Sequence, residues 1–191
     1  AARLDRMIWD GHLVSARRML PLVSEGERAL AQARIALLDL APGVDTLIER
    51  VPASLEDDPG LAHARFVWRD RKGRDDDAIE LLLAQSKSPE LLGEPDKWAP
   101  RRRNLARSEM RNGYPDRAYR IAAHHFLTPE AGYAYADLEW IAGYVALTKL
   151  DDPNTAARHF EQFDAAVTSP ISKGRAGYWL GRAHAAAGNA D

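Results

Sequence analysis

The side chains here that could carry chemistry are histidines, grouped carboxylates and clustered arginines, and their spacing limits what they can do. Of six histidines, His124 and His125 are adjacent, so on a regular helix they point to different faces and do not share a metal ion. His12, His63, His159 and His184 stand apart, with no His-x-x-x-His or His-Glu-x-x-His spacing, and no metal is expected. The acidic runs Glu56-Asp57-Asp58 and Asp75-Asp76-Asp77 fall where helices start, a place suited to capping free amides and complementing the helix dipole. There is no EF-hand loop, no Gly-rich phosphate loop and no Gly-x-Ser-x-Gly elbow. Cysteine is absent, which removes disulfides, thiolate metal sites and thiol nucleophiles together. Many Asp and Glu are available to form a carboxylate pair for glycoside chemistry, but no local motif nominates one. The expected catalytic set is empty, and no cofactor is expected.

Two groups of arginines remain. Arg101-Arg102-Arg103, flanked by Lys97 and Arg107, is the densest basic cluster. It reads as a solvated first turn or a set of local ion pairs, with a phosphate site as the competing reading. Arg175, Tyr178 and Arg182 are spaced by three and four residues, so they share one helix face. That face is the one candidate contact surface, against the alternative that it packs on a further helix.

The elements that must position these groups are helices. The chain has 191 residues, 46% of them apolar, and alanine and leucine dominate that share while valine and isoleucine are scattered. No run of alternating β-branched residues suggests a strand. Two short helices are expected over 4–20, interrupted at Gly11, and one over 26–40, stopped by Pro42-Gly43. A short helix follows over 45–50, and others over 60–71, 75–85, 97–111, 115–125, 130–149, 153–166 and 172–187. Asp58-Pro59, Ser88-Pro89-Glu90, Thr128-Pro129-Glu130 and Asp152-Pro153-Asn154 each offer a cap followed by proline at the first helical position. Net charge is −2 with a pI of about 6.3, so no global field draws the chain to nucleic acid. No apolar stretch approaches the roughly 18 residues of a membrane span.

A regular interval organises these helices. Gly73, Gly113 and Gly188 each end a run of small and apolar residues, and Leu150-Asp151 holds the matching place between the last two, giving intervals of 40, 38 and 37 residues. Ala78, Ala118 and Ala156 follow at similar offsets. Such a period predicts stacked helix hairpins, with glycine tolerating the left-handed turn. Small residues are expected where helices cross closely, namely Ala106, Gly143 and Gly181 in first helices and Ala118 and Ala156 in second ones. Trp68, Tyr119, Trp140, Phe160, Tyr178 and Trp179 are expected to fill the space between pairs, with a sugar-stacking platform as the functional alternative. The fold class is all-α: a right-handed α-α superhelix of about ten short helices in tetratricopeptide-like hairpins, forming a single domain over 1–191.

Longer phrases carry a family resemblance. They are Trp98…Arg102…Leu105-Ala106-Arg107…Gly113…Ala118-Tyr119…Ala122…His125, then Ala136-Asp137-Leu138-Glu139-Trp140-Ile141-Ala142-Gly143, then Pro170-Ile171-Ser172…Arg175-Ala176-Gly177-Tyr178-Trp179-Leu180-Gly181-Arg182-Ala183. With Asp152-Pro153…Ala156…His159-Phe160, and more weakly Ile8-Trp9, Ala33-Arg34, Val51-Pro52 and Leu61…Arg65…Trp68-Arg69, they resemble the helical superhelix of soluble lytic murein transglycosylases. The resemblance implies a periplasmic, non-catalytic scaffold. The parent enzyme would cleave the bond between N-acetylmuramic acid and N-acetylglucosamine in peptidoglycan as a lyase, forming a 1,6-anhydro product. Its catalytic glutamate, in a Glu-Ser motif, would belong to a following lysozyme-like domain, so this chain is expected to be a fragment that is inactive alone. Its implied partners are peptidoglycan glycan strands and its own catalytic domain, and Arg175, Tyr178 and Arg182 are the residues expected to touch one of them. The rival reading is a tetratricopeptide-like adaptor that binds a peptide or protein in its concave groove.

Overall fold

The prolines and short polar residues that punctuate the sequence set the helix starts. In the computed structural model, which describes residues 1–188, the Asp58 carboxylate accepts the Leu61 N–H at 2.9 Å and that of Asp152 accepts the Thr155 N–H at 3.0 Å. Each caps a helix whose first residue is proline, where the missing N–H removes no hydrogen bond. Ser88 caps in the same way, and so does Ser169, three residues ahead of the predicted start. Ser24 and Glu27 form a reciprocal capping box. Thr128 departs from the expectation: a single 3-10 turn, Pro129–Ala131, follows it, and its side chain makes no cap bond.

All regular structure among the described residues is helical, in twelve α-helices and three 3-10 turns against the ten or so helices expected. The packing divides the chain into two compact units, Ala1–Lys97 and a second beginning at Trp98. The first holds α1 (Ala2–Trp9), α2 (Leu13–Met19), α3 (Glu25–Leu38), α4 (Val44–Glu49), α5 (Pro59–Arg71), α6 (Asp75–Gln85) and α7 (Pro89–Leu92). α3 is its axis. One side, with Ala31 and Ile35, packs on Leu4, Ile8 and Ala16, and the other, with Leu30, Ala33 and Leu37, packs on Val44, Leu61 and Ala64. The Arg34 side chain is buried with it, paired with Asp5 and Asp58 and lying over the Trp9 ring at 5.3 Å. Gly60 leaves the room for that guanidinium, since a Cβ there would collide with it.

The boundary falls inside α8 (Pro95–Arg111), and α9 (Pro115–Ala123), α10 (Tyr133–Lys149), α11 (Pro153–Ala166) and α12 (Pro170–Ala186) follow. Packing in this unit runs between sequence neighbours, α9 on α10, α10 on α11 and α11 on α12, as stacked hairpins require. α10 is enclosed on nearly every side, from Tyr135 to Ala146, so it carries no polar stripe. The regular stations have a backbone cause: Gly73, Gly113 and Gly188 have φ of 69°, 85° and 77°, and Asp151, in the matching place, has φ of 52°. Each lies in the left-handed region that normally favours glycine.

The small residues divide. Ala106, Ala118 and Ala156 are fully buried, and a Cβ on Gly143 would stand 2.8 Å from the Phe160 ring, so α10 and α11 approach closely there. Gly181 does not share that role, because it is exposed and a Cβ would meet nothing within 4 Å. The two glycines therefore respond in opposite senses to one added methyl group. Gly143→Ala is expected to lose about 1 to 3 kcal/mol by overpacking. Gly181→Ala is expected to gain about 0.5 to 1 kcal/mol by reducing backbone freedom in the unfolded chain. Urea unfolding of the two variants checks both signs.

Candidate functional site

Three of α12's side chains were expected on one face, and the structure brings them there with partners from α10. Trp140 and Tyr144 of α10 stack on each other with centroids 5.2 Å apart. Trp179 of α12 meets them edge-on, at 6.3 Å and 5.1 Å, and stacks on Phe160 of α11 at 5.8 Å. Over this plate lie two cations: Arg175 is 5.6 Å from the Trp140 centroid, and Arg182 is 5.6 Å from that of Trp179. Arg182 also reaches the exposed Tyr178, its guanidinium donating to the phenol oxygen at 3.4 Å. Among the described residues neither arginine forms an ion pair.

This geometry has chemical consequences. A guanidinium lying on an aromatic ring is pre-oriented, so it loses less side-chain freedom when it meets an acceptor. Arg175 and Arg182 are two helical turns apart, about 10.5 Å of rise, and both are exposed. Their planar forks match carboxylates, and the exposed ring of Tyr178 offers an apolar surface beside them. Tyr178 was expected to fill space between helix pairs, yet it is 58% exposed and belongs to this outer face.

Beneath this face, one turn of α10 carries a buried carboxylate. Glu139 Oε1 accepts from His125 Nε2 at 2.9 Å, and Oε2 from His159 Nδ1 at 2.6 Å. The Leu127 backbone N–H donates to His125 Nδ1 at 2.9 Å, so His125 carries its proton on Nε2. His159 holds the opposite tautomer, with Nδ1–H on Glu139 and Nε2 accepting the Tyr119 hydroxyl at 3.1 Å. With its amide nitrogen facing the carboxylate, Gln162 donates to the two oxygens at 2.9 Å and 3.1 Å. Burial alone would push the Glu139 carboxyl up, but the donors from His125 and His159 outweigh it and hold the group below its ordinary value. Burial raises the Tyr119 phenol, which keeps its hydroxyl as a donor to His159.

Several sequence expectations need correction here. His124 and His125 do not lie on a helix, because α9 ends at Ala123 and both follow it. Only His125 turns inward, whereas burial followed by Arg102 and Arg120 lowers the His124 pKa. Arg101-Arg102-Arg103 is not a solvated turn. Arg102 is fully buried and donates to the Ile121 carbonyl at 2.8 Å, one of the free carbonyls at the end of α9. Burial brings the Arg102 pKa down to about 9, which leaves it cationic at neutral pH. The ion-pair reading does hold for Arg103 and Arg107, which pair with Asp137 at 3.0 Å and 2.6 Å. The Glu139 cluster and the part played by Tyr144 were missed. Both join residues from separate helices, and no short motif encodes either.

No protein-family model, no curated protein and no solved structure matches the chain.

The Glu139 cluster makes a prediction with a definite sign. Its folded pKa lies below the unfolded value of 4.5, so its stabilisation is complete above that pH and is lost as pH falls through the folded value. Glu139→Gln turns an N–H donor toward N–H donors and is expected to cost about 1 to 3 kcal/mol at neutral pH. In urea unfolding followed over pH, the gap between wild type and variant should close below about pH 4.5. A gap that stays constant would show that the ionised carboxylate is not what holds the cluster.

Proposed function

We propose that this chain is the non-catalytic helical scaffold region of a periplasmic lytic transglycosylase. In this reading it positions peptidoglycan glycan strands for a catalytic domain that cleaves them to 1,6-anhydro products. Support comes from the ordered phrases of the sequence between Trp98 and Ala183 and from helices of the second unit that pack mainly on their sequence neighbours, an arrangement that builds surfaces more readily than enclosed active sites. The observation that carries the reading is the α10–α12 face, where Arg175 and Arg182 lie on the rings of Trp140 and Trp179. A peptidoglycan strand presents what such a face recognises: sugar rings with apolar C–H surfaces, and acid groups on the stem peptides. Ring-backed guanidiniums spaced along one helix can hold those acid groups while Tyr178 meets a sugar or a peptide methyl.

The test uses arginine variants, because both side chains are exposed and their removal leaves the core intact. The chain should be retained by purified sacculi, and Arg175→Ala with Arg182→Ala should weaken retention by about tenfold or more. The chain alone should release no soluble anhydro-muropeptides. Equal retention of the double variant would end the assignment of this face. Failure of the wild-type chain to bind sacculi, with capture of an unrelated acidic peptide instead, would favour the adaptor reading.

A further inference from the structure

The first unit holds a second basic cluster that the scaffold reading does not use. A cavity of about 80 Å³ between α3, α4 and α5 is lined by Leu37, Val44, Ile48 and Trp68, together with Arg65, Arg69, Arg74 and Asp45. Three arginines, close enough for Arg65 and Arg74 to repel Arg69, thus line one small space with a single acidic residue in its wall. Arg74 is neutralised by Asp77, 2.5 Å away, and Arg69 donates to the Asp77 backbone carbonyl at 2.8 Å. Arg65 makes no ion pair among the described residues, and Asp45 pairs with none of the three. Burial, and then the repulsion of Arg65, lowers the Arg69 pKa. The Trp68 indole N–H is enclosed in the same wall without an acceptor, and Arg74 and Lys72 lie over its ring at 5.7 Å and 6.0 Å.

Cations held together in a partly dry wall repel one another unless a counter-charge joins them. Asp77 meets Arg74, and Glu80 acts on Arg69 from outside the wall, but within the lining itself Asp45 is the one carboxylate beside Arg65 and Arg69. The volume has room for a group the size of a carboxylate. We propose that this cavity is a binding site for a single carboxylate, clasped by the Arg65 and Arg69 guanidiniums. The carboxylate can come from a small free acid or from the C-terminus of a peptide, and both offer the planar pair of oxygens that an arginine fork matches. The site is independent of the α10–α12 face and of the glycan reading.

The test follows the Trp68 indole N–H resonance of the full chain during titration with acetate, with an acetylated dialanine bearing a free C-terminus, and with inorganic phosphate. A saturable shift with acetate or the peptide is expected, weakened about tenfold in Arg65→Gln and unchanged in Lys87→Gln. Tighter binding of acetate identifies a free acid as the occupant, and tighter binding of the peptide identifies a chain terminus. The assignment is overturned if neither carboxylate gives a saturable shift, if Arg65→Gln responds as wild type does, or if phosphate binds more tightly than both. Far-ultraviolet circular dichroism of Arg65→Gln guards against a folding defect, and Arg69→Lys, which keeps the charge but loses the fork, should also weaken acetate.

Discussion

An ionised carboxylate taken out of water must be surrounded by donors, and Glu139 imposes that condition on the second unit. Its side chain is 5% exposed, and its two oxygens are met from three directions: His125 from the segment after α9, and His159 and Gln162 from α11. Moving any of these elements would strand a charge whose desolvation costs several kcal/mol. The carboxylate therefore fixes the position of α10 between its neighbours. Trp140 is the next residue along, so the same constraint holds the ring on which Arg175 lies. In this way a buried hydrogen-bonded cluster positions an exposed face of guanidiniums on aromatic rings.

The two units meet a common problem, a buried arginine, by different means. Arg102 places its charge against the end of α9, where the free carbonyls and the helix dipole both favour a cation. Arg34 relies on two carboxylates, Asp5 and Asp58, and on the space left by Gly60. Apolar packing accounts for the rest. Phe160 presses into the place a Gly143 side chain would take, and Ala146, Ala156 and Ala183 surround it. Close crossing gives α10 and α11 a long shared surface and lets Trp179 reach across to both.

Helices and turns were legible in the sequence because they depend on neighbours along the chain. Proline after a capping Asp or Ser marked α5, α7 and α11, and the left-handed stations at Gly73, Gly113 and Asp151 followed from spacing alone. A further station was hidden, since Leu40 has φ of 55° and nothing about leucine announces it. Gly181 shows the converse, a residue in the right register with open space beside it. Of the face, Arg175, Tyr178 and Arg182 could be grouped because one helix carries them all. Trp140 and Tyr144 could not be joined to them, because that contact depends on how α10 and α12 pack. The Glu139 cluster was hidden for the same reason: its histidines are 14 and 20 residues away on other elements.

The protonation pattern of the cluster is the most direct measure of this arrangement. Long-range proton–nitrogen NMR at neutral pH distinguishes the two imidazole tautomers. His125 is expected with its proton on Nε2 and His159 with its proton on Nδ1, each donating to an ionised Glu139. The same tautomer in both rings, or a protonated Glu139, would mean that the carboxylate does not organise the helices around it.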